Sequence, residues 1–412
     1  MYRILLNIVF FLNGCATFGA TLSVCSDCQY KTIKAAVHAS QSGDVLLILS
    51  GTYIEGNIII DKPLTIRGEN LPVLDGNNET EILTITANDV TIDGLILRNV
   101  GTSYVEDRAG IRVQKARNFH IMNNQLENTF FGIYLEHAGD GEIGHNIITG
   151  NAKEEMSSGN GIHLWYCKRV DVFHNQVSGH RDGIYLEFVD QSTIGANISE
   201  GNLRYGLHFM FSNDDVYEGN EFAQNGAGVA VMYSRRIVMR ENIFRNNWGA
   251  ASYGLLLKEI YDAEIACNTF QENTLGIYVE GSSRLDYHEN NFLYNGWAMK
   301  VSGGCLDNNI TANNFQGNTF DLSIQTSMRD NHFDGNYWSE YNGYDLDRDG
   351  IGDVPFRPVK LFSFIIHQTP ESIVLLRSLF VDLLNFAEKI SPVFTPTDVM
   401  DHRPLMAPVI LS

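Results

Sequence analysis

A glycine followed by an apolar-x-apolar triplet recurs at nearly constant spacing through the middle of this 412-residue chain. The steps between successive glycines are 22, 29, 22, 23, 22, 26 and 22 residues, for Gly110, Gly132, Gly161, Gly183, Gly206, Gly228, Gly254 and Gly276. An asparagine series repeats the same steps: Asn124, Asn146, Asn175, Asn197, Asn220, Asn242, Asn268 and Asn290. Both series keep the same spacing through the two longer steps of 29 and 26 residues. The glycine and the asparagine therefore hold fixed positions in one repeating unit, as in a solenoid.

Each repeating unit contains short runs of alternating apolar and polar residues and no helical period. We therefore predict an all-β fold, a single-stranded right-handed parallel β-helix of about a dozen coils, over residues 45–340. The aligned asparagines are expected to bond to one another along the stack, and the glycines to form its corners. Because a solenoid needs covered ends, residues 21–44 are expected to form an N-terminal cap with a short amphipathic helix.

The amino terminus and the charge balance indicate an exported protein. The formal net charge of −20 argues against a nucleic-acid partner. Residues 1–20 resemble a signal peptide, because Arg3 precedes an apolar run and small residues follow. Leu12-Asn-Gly-Cys15 also resembles a lipoprotein box, so plain cleavage and lipidation of Cys15 both remain open. Cys25 and Cys28 predict a small disulfide clasp in an oxidising compartment, with a thiolate metal site as the alternative.

An acidic loop follows the predicted rod, over residues 341–360. Its carboxylates occupy positions 1, 3, 5 and 9 of a loop with glycine at position 6, and they are Asp345, Asp347, Asp349 and Asp353. This spacing matches the oxygen ligands that calcium prefers, but Phe356 stands where an EF-hand needs glutamate, so an EF-hand is rejected. A partial calcium loop and an acidic, water-bonded turn are the two remaining interpretations.

Residues 361–412 are predicted to form a C-terminal helix and an extended tail. The apolar-rich helix is expected over Pro370–Ile390, and Arg377, Asp382 and Glu388 interrupt it, which argues against a membrane span. Its wide apolar stripe favours either a cap on the rod or a docking helix for a membrane partner. Four prolines keep the chain after it extended.

The strand pattern also predicts which side chains lie on the outer wall. In Gly-Ile-x-Leu the apolar pair points inward, so the x residue and the residue two positions later point outward. This places His208 and Met210 on one coil, with Met232 beside Met210 on the next coil. Two thioethers and an imidazole are soft ligands that suit Cu(I). The alternative is that the methionines pack under a loop or at a protein interface.

Carboxylates and aromatic residues on the same wall suggest a second hypothesis, an exported carbohydrate-active or sugar-binding β-helix. The carboxylates are Glu136, Glu187 and Asp182, and the aromatic residues are Tyr134, Trp165 and Tyr185. The sequence carries none of the catalytic motif series of polygalacturonases or alginate epimerases, and no nucleophile elbow or phosphate loop. We therefore predict that the chain is not an enzyme.

Several motifs together resemble the NosD family of nitrous oxide reductase maturation proteins. They are Arg204-Tyr-Gly-Leu-His-Phe-Met210, Val231-Met-Tyr-Ser234, Asn336-Tyr-Trp-Ser-Glu-Tyr-Asn-Gly-Tyr-Asp345, Gly352-Asp-Val-Pro355 and Pro404-Leu-Met406. The resemblance implies a periplasmic, non-enzymatic protein that works with an ABC transporter made of a membrane permease and a cytoplasmic ATPase. It implies that copper, received from a small lipoprotein chaperone, is delivered to nitrous oxide reductase.

The family pattern matches this sequence at His208, Met210 and Met232, the residues that the outer-wall argument selects. The resemblance also implies that the helix 370–390 and the extended end contact the permease. Contact with the membrane would then occur through this partner, or through a lipid on Cys15.

Overall fold

The structure is a computed structural model, and it describes residues 19–103, 105–249, 252–325, 328, 330–390 and 399–410. The predicted signal peptide lies outside the described residues except for its last two positions. Cys15 lies outside them as well. Export and lipidation therefore stay predictions.

The described chain winds into coils that build three parallel sheets along a rod. Sheet 1 has 14 described strands: Thr21–Val24, Asp44–Ile48, Leu64–Gly68, Thr91–Asp93, His120–Met122, Gly139–Gly144, Lys168–Phe173, Thr193–Gly195, Val216–Glu218, Val238–Arg240, Tyr261–Ala266, Ser283–His288, Asn309–Thr311 and His332–Asp334. Sheet 2 holds the glycine triplets in 12 described strands: Ile58–Ile60, Leu83–Ile85, Ala109–Gln114, Phe131–Glu136, Ile162–Trp165, Asp182–Glu187, Tyr205–Met210, Ala227–Met232, Leu255–Lys258, Leu275–Glu280, Trp297–Ser302 and Phe320–Ile324. Sheet 3 has 13 described strands: Thr52–Tyr53, Val73–Asp75, Ile96–Arg98, Gln125–Thr129, Ile147–Gly150, Gln176–Ser178, Ile198–Glu200, Glu221–Ala223, Ile243–Arg245, Thr269–Gln271, Asn291–Leu293, Asn314–Gln316 and Tyr337–Trp338.

This architecture confirms the predicted parallel β-helix, with a small difference in its extent. The strand Thr21–Val24 already pairs in parallel with Asp44–Ile48, so the first rung of the rod begins inside the predicted cap. The cap helix α1 is Ile33–Ala39, and the Thr32 side chain accepts a hydrogen bond from the Ala35 N–H at its start. Its buried residues Ile33, Ala36 and Val37 belong to the same core as the coils, so α1 covers one end of that core.

The asparagine series forms the predicted ladder inside the rod. Each side-chain amide donates to the side-chain oxygen of the asparagine one coil further on, as Asn175 Nδ2 does to Asn197 Oδ1 at 3.0 Å. The ladder continues to Asn336, whose amide donates to the carboxylate of Asp401 at 3.0 Å. A second buried ladder, which the sequence analysis missed, comprises Asn202, Asn225, Asn247, Asn273, Asn295 and Asn318.

A stack of aromatic rings fills the C-terminal half of the core beside sheet 3. Ring centroids lie 4.1–5.5 Å apart along this stack, which is Phe222, Phe244, Phe270, Phe292, Phe315 and Trp338. All six side chains are buried, because each occupies the same inward position of its coil. The stack therefore ties successive coils together through their side chains as well as through their backbone hydrogen bonds.

The predicted C-terminal helix is present, but it is shorter than the predicted range Pro370–Ile390. The structure has helix α2 at Leu361–Gln368, a 3-10 segment at Pro370–Leu375 and helix α3 at Leu379–Ile390. Pro370 lacks the N–H that would continue α2, and Thr369 before it adopts a non-helical backbone. Farther on, the Ser378 hydroxyl accepts from the Val381 N–H at 3.4 Å and favours a new helix start.

The described part of the tail returns to the rod end. Leu405 bridges to Tyr337 and Ile351, and Asp401 bridges to Phe356, so residues 399–410 lie against the last coil. The prolines of the tail predict an extended chain but not this docking. None of the helices in the described ranges has the length and apolar character that crossing a membrane would require.

Candidate metal centre

The two candidate thioethers lie side by side on the outer wall of sheet 2. The strands Tyr205–Met210 and Ala227–Met232 pair in parallel, and their register sets Met210 opposite Met232. The residues before them, Phe209 and Val231, point into the core. Both methionines are half-buried, so their side chains are partly accessible from solvent. The structure thus brings these two predicted ligands together as the spacing predicted.

His208 lies on the same wall but is covered, which the sequence analysis did not foresee. The residue as a whole is only 6% exposed. The rings of Tyr185 and Tyr205 pack against the imidazole, with centroids at 5.0 and 4.8 Å. Its Nε2 atom is buried and has no hydrogen-bond partner within the described part of the chain. An unpartnered buried nitrogen is costly, and a bound ligand would remove that cost.

A buried carboxylate holds an ion pair next to this histidine. Asp182 is fully buried and accepts from Arg204 Nε at 2.8 Å through Oδ1, while Arg204 Nη2 binds its Oδ2. The His208 Nδ1 atom lies 3.4 Å from Arg204 Nη2 and 3.8 Å from Asp182 Oδ2. Burial alone would raise the pKa of Asp182, but the nearby His208 ring, the hydrogen bonds and charge of Arg204 and the charge of Arg181 together lower it. Asp182 is therefore a carboxylate at neutral pH.

Sequence reasoning named Asp182 only as a carboxylate for the sugar hypothesis, and it missed Arg204 as its partner. The pairing has a sequence signal, because the two residues are separated by 22 positions, one step of the repeat. Residues one step apart lie on neighbouring coils, so an aspartate and an arginine at that spacing can meet. The same signal identifies Asp214 and Arg236, whose side chains form a bidentate pair at 2.6 and 2.9 Å.

The aromatic residues that the sugar hypothesis requires are mostly covered. Tyr134 and Tyr185 are 8% and 9% exposed, and His163 lies between them with ring centroids at 4.5 and 4.7 Å. Burial, reinforced by the charge of Arg181, lowers the pKa of His163 to about 3, so this ring is neutral. Rings packed against one another below the surface do not offer open faces to a sugar.

An aromatic ladder that the sequence analysis did not predict borders the methionines, with three exposed residues and the half-buried Phe188. Tyr166, Phe188, Phe211 and Tyr233 occupy successive corners and stack with ring centroids 4.5–5.2 Å apart. All four have positive backbone φ angles of 51–55°, which fixes the turn at each corner. Each residue immediately follows an outward position of sheet 2, so their spacing of 22, 23 and 22 could have revealed the ladder.

The acidic loop is only partly arranged as a cation site. One carboxylate oxygen from each of Asp345, Asp347 and Asp349 lies within 4.8 Å of the others. Repulsion from Asp349 is the main reason that the pKa of Asp347 is raised. Asp353 instead accepts a hydrogen bond from the Leu346 N–H at 2.7 Å. The structure therefore groups three of the four predicted calcium ligands, and calcium binding stays a prediction.

The cysteines follow the disulfide interpretation rather than the metal alternative. Cys25 and Cys28 form a disulfide at the N-terminal end of the rod. Cys167 and Cys305 are buried, and Cys267 is half-buried. Among the described residues, the only cluster of three acidic, histidine or cysteine side chains close enough to share a metal ion is the aspartate loop. The methionine–histidine site is of a different type, with sulfur donors.

The C-terminal helical segment carries several exposed apolar side chains. Leu361 N–H donates to the Glu388 carboxylate, which links the start of α2 to α3, and Phe362 packs near Phe320 of the rod. Six apolar side chains of this segment are 52–83% exposed, namely Ile373, Val374, Leu379, Phe380, Leu383 and Phe386. Exposed apolar side chains grouped in one segment are typical of an interaction site.

Comparison with known proteins identifies the family to which this chain belongs. The chain is 32% identical to a protein of Pseudomonas aeruginosa named "Probable ABC transporter binding protein NosD", over 88% of this chain and 89% of that protein. It belongs to the NosD family. The model of this family, described as "Periplasmic copper-binding protein (NosD)", matches residues 145–343 and so includes all three candidate copper ligands. A NosD protein of Stutzerimonas stutzeri is 27% identical, over 87% of this chain and 85% of its own length. The predicted resemblance is confirmed.

Solved structures add only the fold to what the NosD relatives show. A mannuronic acid-specific polysaccharide lyase of family 6 from human gut microbiota matches with a TM-score of 0.56 and 14% identity, over 90% of this chain and 99% of that one. PfbA, a surface adhesin of Streptococcus pneumoniae, matches with a TM-score of 0.52 and 12% identity, over 78% and 91%. An enzyme and an adhesin share this rod, so the fold does not indicate catalysis in a NosD protein.

Proposed function

We propose that this NosD protein is an exported, non-enzymatic accessory protein that carries Cu(I) during assembly of the copper sites of nitrous oxide reductase. It would act in the periplasm with an ABC transporter made of a permease and an ATPase, and it would receive copper from a small lipoprotein chaperone. The observation that carries the copper part is the pairing of Met210 with Met232, together with the unpartnered Nε2 of His208 two positions before Met210 on the same strand. All three residues lie within the region matched by the copper-binding family.

The donor set fits transient binding of Cu(I). Thioether sulfur and neutral imidazole are soft or borderline ligands, which favour Cu(I) over hard cations. Two or three such ligands on one wall do not enclose the ion as a tetrahedral structural site would. Copper held in this way can be passed to another protein. The wall of the rod fixes the spacing, because paired strands lie about 4.8 Å apart.

The copper proposal is tested by anaerobic Cu(I) titration against a competing chelator. The variants Met210→Ala, Met232→Ala and His208→Ala are each expected to weaken binding at least tenfold. Met122→Ala is the matched control, since Met122 is also half-buried and outward-facing but lies on sheet 1. Wild-type affinity in the triple variant would refute this site.

The transporter part of the proposal rests on the name of the relatives and on the exposed apolar side chains of the C-terminal helical segment. A protein partner would remove these side chains from water, and the name of the relatives makes the transporter permease the partner that we propose. Leu383→Ser with Phe386→Ser should reduce co-purification with the permease at least fivefold. Val105→Ser, at a residue 94% exposed elsewhere on the rod, is the control. Unchanged co-purification of the double variant would contradict this contact.

A further inference from the structure

The two ring nitrogens of His208 have different surroundings, and this difference determines which of them can bind a metal. An imidazole that ligates through one nitrogen carries its proton on the other, and that N–H needs an acceptor. In His208 the Nε2 atom has no partner among the described residues, whereas Nδ1 faces two charged groups. Nε2 is thus the nitrogen that can bind a ligand. Nδ1 then carries the proton, and this N–H needs a hydrogen-bond acceptor.

The two groups near Nδ1 favour opposite proton positions. Arg204 Nη2, at 3.4 Å, can only donate, so a bond from it makes Nδ1 the acceptor and places the proton on Nε2. Asp182 Oδ2, at 3.8 Å, can accept from a protonated Nδ1 and would leave Nε2 with a free lone pair. A shift of about 1 Å brings Nδ1 within hydrogen-bond distance of this oxygen.

Asp182 is held firmly enough to act as that acceptor. Its carboxylate is fully buried and is bound by Arg204 and by the Tyr205 N–H, at 3.3 Å. Its strand pairs in register with the strand of His208, setting Asp182 opposite Tyr205 and Tyr185 opposite His208. The carboxylate therefore has a defined position relative to the imidazole on the next coil.

We infer that Asp182 is a positioning residue for copper binding. It accepts the Nδ1–H bond of His208 when Nε2 ligates Cu(I), and Arg204 holds the carboxylate in place for that bond. This inference rests on the proposed copper function. Carboxylate acceptors behind a ligating histidine fix its tautomer and its orientation, and their loss costs roughly 10–100-fold in metal affinity.

The test uses Asp182→Asn in the full-length protein, with anaerobic Cu(I) titration. Asparagine keeps the shape, but its amide can donate to Nδ1 and so favour the wrong tautomer. We expect a loss of at least tenfold in affinity. In the His208→Ala background the same substitution should change affinity less than twofold, since Asp182 acts through that ring. Asp214→Asn is the matched control, because it breaks another Asp–Arg pair one repeat apart with no effect expected on copper.

In the titrations, three results would overturn the inference: wild-type affinity in Asp182→Asn, an undiminished loss in the His208→Ala background, or an equal loss in Asp214→Asn. If His208→Ala itself binds copper as the wild type does, histidine ligation fails, and the proposed site fails with it. Nitrogen-15 spectra of histidine-labelled wild-type protein give an independent readout if Asp182→Asn does not fold. With Cu(I) bound, the proton should be on Nδ1 of His208, and a proton on Nε2 would refute the inference.

Discussion

Asp401 closes the asparagine ladder at the C-terminal end of the rod, and its removal should have a large local effect. Its buried carboxylate accepts from Asn336 N, Asn336 Nδ2 and Trp338 Nε1, each at 3.0 Å through Oδ2. Through Oδ1 it accepts from Gly335 N and Arg403 N, each at 3.1 Å. The substitution Asp401→Ala leaves these donors without their acceptor.

The size of the effect follows from the three fully buried donors. An unsatisfied buried donor costs about 1–3 kcal/mol, so three of them cost roughly 3–9 kcal/mol. Water can enter at the end of a rod, which favours the lower part of this range, about 3–5 kcal/mol. Because coils of a solenoid contact only their neighbours, the loss should be concentrated in the last coils and the docked tail.

Amide hydrogen exchange measures this loss residue by residue. A loss of 3 kcal/mol corresponds to a drop of roughly 100-fold in protection. We expect that drop for the backbone amides of residues 331–338, with unchanged protection around residues 120–150. Arg403→Ala is the local control, because it removes only the exposed Arg403–Asp334 pair, worth about 1 kcal/mol or less. Protection of residues 331–338 within threefold of the wild type in Asp401→Ala would refute the reasoning.

Three further predictions concern the core, the stability at different pH values and the acidic loop. Phe270→Ala should lower the free energy of unfolding by about 3–5 kcal/mol, and Phe211→Ala at an exposed position of the aromatic ladder by about 1 kcal/mol or less; equal denaturant midpoints would contradict this. Burial raises the pKa of Asp215 to about 8, so the folded state holds a proton that the unfolded state releases near pH 4. Stability from this group is present in full below about pH 4 and falls as the pH rises to about 8, and Asp215→Asn should flatten that part of the pH–stability curve. Millimolar Ca²⁺ should raise the thermal midpoint of the wild type but not of Asp349→Asn, and equal shifts in both proteins would exclude the loop as the site.

The period of the glycine and asparagine series determined the winding of this protein before any contact was known. The matching steps of the two series show which residues occupy equivalent positions in successive coils. The alternation of apolar and polar residues shows which of them face inward. The neighbouring positions of Met210 and Met232 therefore followed from the sequence, as did the Asn175–Asn197 bond. These features depend only on register, which is a local property repeated from coil to coil.

Other features depended on contacts that the repeat does not encode. The hydrogen bond between Asn336 and Asp401 joins residues 65 positions apart, and this separation is not a step of the repeat. The C-terminal segment is divided, because Pro370 follows the end of α2 and Ser378 favours the start of α3. These local effects outweighed the apolar stripe that predicts one continuous helix. The covering of His208 by Arg204 and Tyr205 required side-chain packing above the wall, since the alternation of a strand predicts direction and not depth. The sequence thus determined which residues face outward, and only the tertiary structure decided which of those are covered, because burial depends on what packs over each side chain.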